Sequence, residues 1–283
     1  MVGVHRKPLD IEEMMTTCGG FVRYFGTNEP VSHIASVLEK TVFRRVLACC
    51  GGGDQALTLL GLAGRPSEIY AFDMNLAQLF VLACKAQLFK DKKMKTYAPS
   101  FDRISRLNMG RIRALPNDVR PVDTLLTIPG ERKIALEHVF AGRFGYEVDT
   151  GMHDFLKKNI YWADDARFIS RIRSGLPALK GIHCDLLSLS DWFAPDYLDV
   201  IYVSDIPLHN AIPYYLERLR CLVDCLAPGG LFIGNLEDQA VLDRCPSVIE
   251  VMRSYKDLFG LVEFRKTGQI LALRKVRPVR SIG

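Results

Sequence analysis

The sequence predicts an α/β fold: a doubly wound, mostly parallel seven-stranded sheet, with an inserted helical cap and helices ahead of the first strand. Three observations predict it. A short apolar run at 45–50 ends in Gly51-Gly52-Gly53 and passes directly into a helical pattern. Strand and helix patterns then alternate, as in a parallel sheet covered by helices. Near the C-terminus, strand patterns at 260–266 and 269–276 are joined by Thr267-Gly268, which reads as an antiparallel hairpin.

The elements follow in order. Residues 1–40 read as a helical lid broken at Gly19-Gly20 and Pro30. Strand 45–50 leads into helix 54–62, then strand 68–72, which stops at Asp73, then helix 76–89. From 91 to 180 no strand pattern is clear. Helical stretches at 131–141 and 164–174 are separated by aromatic and basic residues, and a segment this long reads as a cap rather than a bare loop. The sheet resumes with strands at 181–185 and 198–203. A helix at 212–226 is stopped by Pro228-Gly229-Gly230, and strand 231–235 follows. The nucleotide-binding domain is thus 41–90 with 181–283.

Composition narrows the class. The 283 residues are 48% hydrophobic and 24% charged, enough for a sizeable core. A net charge of +5 is mild, so a small-molecule substrate is expected and nucleic acid is not. The four basic residues of 274–280 read as a solvated terminus. Residues 1–13 lack the apolar core of a signal peptide, and no run of about 18 apolar residues suggests membrane insertion. Cys49, Cys50, Cys84, Cys184, Cys221 and Cys225 lie in apolar stretches, which points to buried free thiols in a reducing cytoplasm. Cys221 and Cys225 have no second pair or His at ligand spacing, so no metal site is expected. No feature sets an oligomeric state.

The strand–glycine–helix turn is where backbone approaches a ligand, because a Cβ would obstruct it. Asp54 opens the helix and would repel a phosphate there, so the expected ligand carries a cation or a neutral sugar. Asp73 follows about 20 residues later and suits two ribose hydroxyls. Asp185 ends the next strand and suits an adenine amino edge, with Leu186 beside it. The plainer alternative is that Asp73 and Asp185 cap helices and the glycines permit a tight turn. S-adenosylmethionine, which has no phosphate and carries a sulfonium and an ammonium, fits this charge pattern. The Gly52 and Gly53 amides then suit its carboxylate and Asp54 its ammonium.

Three stretches are more specific. Val46-Leu-Ala-Cys-Cys-Gly-Gly-Gly-Asp-Gln-Ala-Leu57, Phe72-Asp-Met-Asn-Leu-Ala-Gln78 and Val203-Ser-Asp-Ile206 resemble the S-adenosylmethionine:diacylglycerol 3-amino-3-carboxypropyltransferases of betaine-lipid synthesis and their smaller relatives. The resemblance covers roughly 42–90 and 180–240 and implies the class I methyltransferase fold. It also implies cofactor contacts at Cys50, Met74, Asn75, Gln78 and Ser204, with Asp205 following the fourth strand. Tyr24 and Glu29 match an N-terminal motif of that family, although Asn28 replaces its Trp. Ordinary methyltransferases carry an acid where Ala48 stands and a glycine where Cys50 stands.

The resemblance implies attack on the γ-carbon of the methionine arm, with methylthioadenosine leaving. The attacker is a small acceptor or the cofactor's own α-amine, which would close to azetidine-2-carboxylate. Asp205, Glu29 or His209 is then the base, with Tyr24 as a further catalytic group. Tyr24, Tyr161 and Trp162 are candidates to face the sulfonium. Arg143, Tyr146, Tyr161 and Trp162 are candidates to choose the acceptor. Methyl transfer at the same site and a non-catalytic nucleotide-binding regulator are the alternatives.

Overall fold

The computed structural model describes residues 30–39, 41–62, 66–74, 76–90, 95–97, 159–184, 186–204, 220–235, 261–267 and 270–276. Within these, seven strands form one sheet: β1 (Arg45–Cys49), β2 (Glu68–Asp73), β3 (Leu179–His183), β4 (Leu198–Tyr202), β5 (Leu226–Asn235), β6 (Leu261–Thr267) and β7 (Ile270–Lys275). The sheet order is β3-β2-β1-β4-β5-β7-β6. The first five strands pair in parallel, and β7 runs antiparallel to both β5 and β6. This is the order of the class I methyltransferase fold. The order reverses between β1 and β4, so the crevice at their carboxyl ends is where a ligand of a doubly wound sheet binds.

Apolar runs on β1 and β4 read as continuous rather than alternating because both faces of the sheet are covered. One face carries α1 (Val31–Leu38), α2 (Asp54–Gly61), α3 (Leu76–Lys90) and α4 (Ala166–Gly175) in a single hydrophobic cluster with Val46, Ala48, Val200 and Ile233. The other face packs Leu47, Ile201 and Phe232 against Leu186, Leu189, Leu222 and Val223. The described ends of the expected lid and cap, α1 and α4, therefore pack with the sheet. The helix expected at 131–141 lies outside the described residues, whereas α4 matches that expected at 164–174.

α4 starts where Asp165 accepts the amides of Arg167 and Phe168 at 2.8 and 3.0 Å, a side-chain N-cap. It lies close to α2. A Cβ on Gly61 would come within 1.9 Å of the Phe168 ring, so only glycine permits this approach. Trp162 stacks on Phe168 at 5.4 Å and stands 5.2 Å from Tyr97. Its indole N–H donates to Thr58 at 2.7 Å.

β3 begins two residues earlier than expected. β5 begins five residues earlier, at Leu226, and runs through Pro228-Gly229-Gly230. A register shift against β4 between Leu198 and Val200, with Gly229 at φ 84°, lets the strand pass a sequence that reads as a stop. Cys50, Cys184 and Cys225 are buried as expected, but Cys221 is exposed. No described helix is long and apolar enough to cross a membrane.

At the amino-end rim, opposite the crevice, Glu68 receives Lys180 at 2.8 Å and the hydroxyls of Tyr197 and Tyr70 at 2.5 and 3.0 Å. The Lys180 hydrogen bond leads in holding its carboxyl down, from 4.5 to about 2. A lowered carboxyl pKa stabilises the fold above the unfolded value, and that contribution fades as pH falls through the folded value. The stability gap between wild type and Glu68→Gln should therefore be full above pH 4.5 and close towards pH 2, read from urea midpoints across that window.

Candidate functional site

The carboxyl ends of β1 and β2 bring the glycine turn and Asp73 together. Asp73 is partly exposed, and its Oδ2 accepts the Gly51 amide at 3.2 Å. This contact places a carboxylate on the rim, directly beside the turn. Gly51 and Gly53 hold φ of 47° and 84°, the left-handed region that L side chains avoid. Gly53 also lies against Leu82, whose Cδ1 would be 2.9 Å from a Cβ at that position. Both glycines are thus required by shape.

The turn is clamped from behind by α3. Gln78 donates its side-chain amide to the Gly51 carbonyl at 2.6 Å. Lys85 donates to the Gly52 carbonyl at 2.5 Å and to both oxygens of Asp54 at 2.9 and 3.0 Å. Tyr97 donates to Asp54 Oδ1 at 2.8 Å. Asp54 and Lys85 are 0% exposed. Burial pulls the Lys85 ammonium down from its ordinary value, against the opposing pull of Asp54. Burial likewise pushes the Tyr97 phenol well up, with the Asp54 charge adding to it.

These contacts correct several expectations. Asp54 was expected to meet the ligand's ammonium. Its carboxylate instead lies in a buried ion pair, held by Lys85 and Tyr97. The Gly53 amide is taken by the Cys50 carbonyl at 2.7 Å and that of Gly51 by Asp73, so of the three glycine amides Gly52 is the one left to meet a ligand. Gln78, 2% exposed, shapes the turn from within the core. The Cys50 thiol points to the Gln78 carbonyl at 3.6 Å, and burial raises its pKa, with Asp73 adding to the effect. Leu186 is buried at 6% exposure in the opposite core cluster. Trp162 is 0% exposed, a core residue rather than a sulfonium face, whereas Tyr161 is half-exposed.

Met74, following Asp73 on the rim, is 52% exposed, and its carbonyl lies 3.0 Å from His183 Nε2. Ser204, just past β4 at the order reversal, is partly buried with φ 55°, a conformation rare outside glycine. Its carbonyl accepts the Asn235 amide at 2.8 Å. Tyr24, Glu29, Asn75, Asp185 and Asp205, with His209, Arg143 and Tyr146, lie outside the described residues. Among the described residues, no group of three or more His, Cys, Asp or Glu is placed to hold a metal.

Sequence reasoning missed Lys85 and Tyr97. A signal was present for the first: Lys85 is the only charged residue of α3 before its last position. A lone cation within an apolar helix calls for a buried partner.

No protein-family model matches the chain. No curated protein matches it either. Among solved structures, the N-methyltransferase NodS of Bradyrhizobium japonicum WM9, in complex with S-adenosyl-L-homocysteine, aligns over 87% of this chain and 85% of its own. The identity is 11% and the TM-score 0.39. An O-methyltransferase family protein from Burkholderia thailandensis aligns over 88% of this chain and 55% of its own, at 12% identity and TM-score 0.40. The rRNA methyltransferase aviRa from Streptomyces viridochromogenes aligns over 87% and 81%, at 16% identity and TM-score 0.37. At these scores the likenesses add no weight to the strand order, which itself carries the fold.

Proposed function

We propose that the chain is an S-adenosylmethionine-dependent transferase and that methyl transfer is the reaction its fold supports best. The observation that carries the reading is Asp73, a partly exposed carboxylate fixed on the rim by the Gly51 amide, beside the crevice where the strand order reverses. Two ribose hydroxyls suit that carboxylate. Half-exposed Met74 suits the adenine face, and the Gly52 amide suits the methionine carboxylate. Asn75, Asp185 and Ser204 remain proposed cofactor contacts, with Tyr24, Glu29 and Asp205 the proposed catalytic groups. The sulfonium already activates its carbons, so the protein's task is to align the attacker and exclude water.

A second reading, transfer of the 3-amino-3-carboxypropyl group, is favoured by one observation. The turn offers no carboxylate for the cofactor's ammonium, because Asp54 is closed off and position 48 is a buried alanine. A methionine arm held differently would present its γ-carbon instead of its methyl.

The test is the leaving product. The protein is incubated with S-adenosylmethionine and cell extract, and products above an enzyme-free control are read by mass spectrometry. S-adenosylhomocysteine supports methyl transfer. Methylthioadenosine supports γ-carbon attack, and its formation with azetidine-2-carboxylate and no extract identifies the cofactor's own amine as the attacker. Cofactor binding without either product points to a regulator. An absence of binding to S-adenosylmethionine and S-adenosylhomocysteine in calorimetry sinks the cofactor assignment.

A further inference from the structure

Asn235 ends β5, one strand beyond β4 from the glycine turn. It is 6% exposed, and its Oδ1 is buried with no hydrogen-bond partner among the described residues. A buried carboxamide oxygen left unpaired is costly, so it calls for an explanation. The register of β5 against β7 is unbroken from Leu231 to Asn235. Alternation along the strand therefore puts Asn235 on the face of Leu231 and Ile233, the same face as Ala48 and Cys50. Its backbone amide is tied to the carbonyl of Ser204, whose own φ is 55°. An unpaired carboxamide oxygen and a sparsely populated backbone thus meet at the order reversal, where such costs mark function.

We infer that Asn235 Oδ1 accepts a hydrogen bond from the ammonium of the cofactor's amino-acid arm. The inference rests on the cofactor reading above. With Asp54 sealed and Ala48 apolar, the turn cannot supply that acceptor, and Asn235 is an unpaired oxygen on the same face. Three strand spacings separate β2 from β5, about 14 Å at about 4.8 Å each. An extended arm covers that span with a hydrogen bond at each end, from the Asp73 carboxylate to the ribose and from the ammonium to Asn235. The arm then passes over β4, which sets the carbons attached to sulfur above the Ser204 turn.

Calorimetry with two probes tests this. S-adenosylhomocysteine carries the arm, and methylthioadenosine lacks it. Asn235→Ala should weaken S-adenosylhomocysteine binding about tenfold and leave methylthioadenosine unchanged. Asn235→Asp, which keeps an acceptor oxygen, should bind S-adenosylhomocysteine as wild type does or more tightly. Asn235→Ser replaces the alanine variant if that one fails to fold. Unchanged S-adenosylhomocysteine affinity, or equal losses for both probes, overturns the inference and leaves the cofactor reading standing. Failure of wild type to bind either probe overturns both.

Discussion

Replacing Lys85 with Met should destabilise the protein by about 3–5 kcal/mol, because it strands the Asp54 carboxylate in the core without its cation. The Tyr97 hydroxyl still donates to the carboxylate but brings no charge, and the Gly52 carbonyl loses the Lys85 donor as well. In a chain of this size the loss corresponds to a fall of roughly 10 °C in Tm. Asp54→Leu should cost a similar amount by leaving the buried Lys85 ammonium without its carboxylate counter-charge. The double variant should recover a substantial part, because an apolar pair leaves neither charge unmatched. Chemical denaturation of the four proteins closes the cycle. A single variant within about 1 kcal/mol of wild type would show that the pair is not a buried ion pair in solution.

The largest effect on binding is expected at Asp73. Its carboxylate is proposed to hold both ribose hydroxyls, and hydrogen bonds to a charged group contribute about 1.5–3 kcal/mol each. Asp73→Ala should raise the Kd for S-adenosylhomocysteine at least about 100-fold. The same change removes the acceptor for the Gly51 amide, so loss of binding could follow from a disordered turn. Asp73→Asn separates the two causes. Its side-chain oxygen keeps the Gly51 contact but lacks the charge, so its melting curve should match wild type while affinity falls. An unchanged Kd for either variant removes the ribose assignment.

The centre of the sheet was readable because β1 and β4 are largely apolar runs between turn signals, and the glycine turn because a strand passes into a helix without a loop. Those are local properties. The extra length of β5 was not readable, since it depends on a bulge against β4 that accommodates Pro228 and Gly229. The role of Asp54 was misread for a related reason. As the first helical residue after a glycine turn it reads as a ligand group, and only the fold brings Lys85, 31 residues away, onto it. Trp162 shows the reverse error: aromatics within an expected cap look available, but α4 packs on α2 and closes over the indole. Asp73 was placed on the rim by its position at a strand end, and the structure places it there.

Besides Asp73, three side chains that shape the glycine turn come from α3: Gln78, Leu82 and Lys85. Their spacing of four and then three residues is one helical stripe. The identifying pattern of this turn is therefore composite, with Gly-Gly-Gly-Asp at 51–54 followed by Gln-x-x-x-Leu-x-x-Lys at 78–85. A chain that carries the first half without the second would have to find another cation for its aspartate. It would also need other donors for the carbonyls at positions 51 and 52, and so would present a different surface to its ligand.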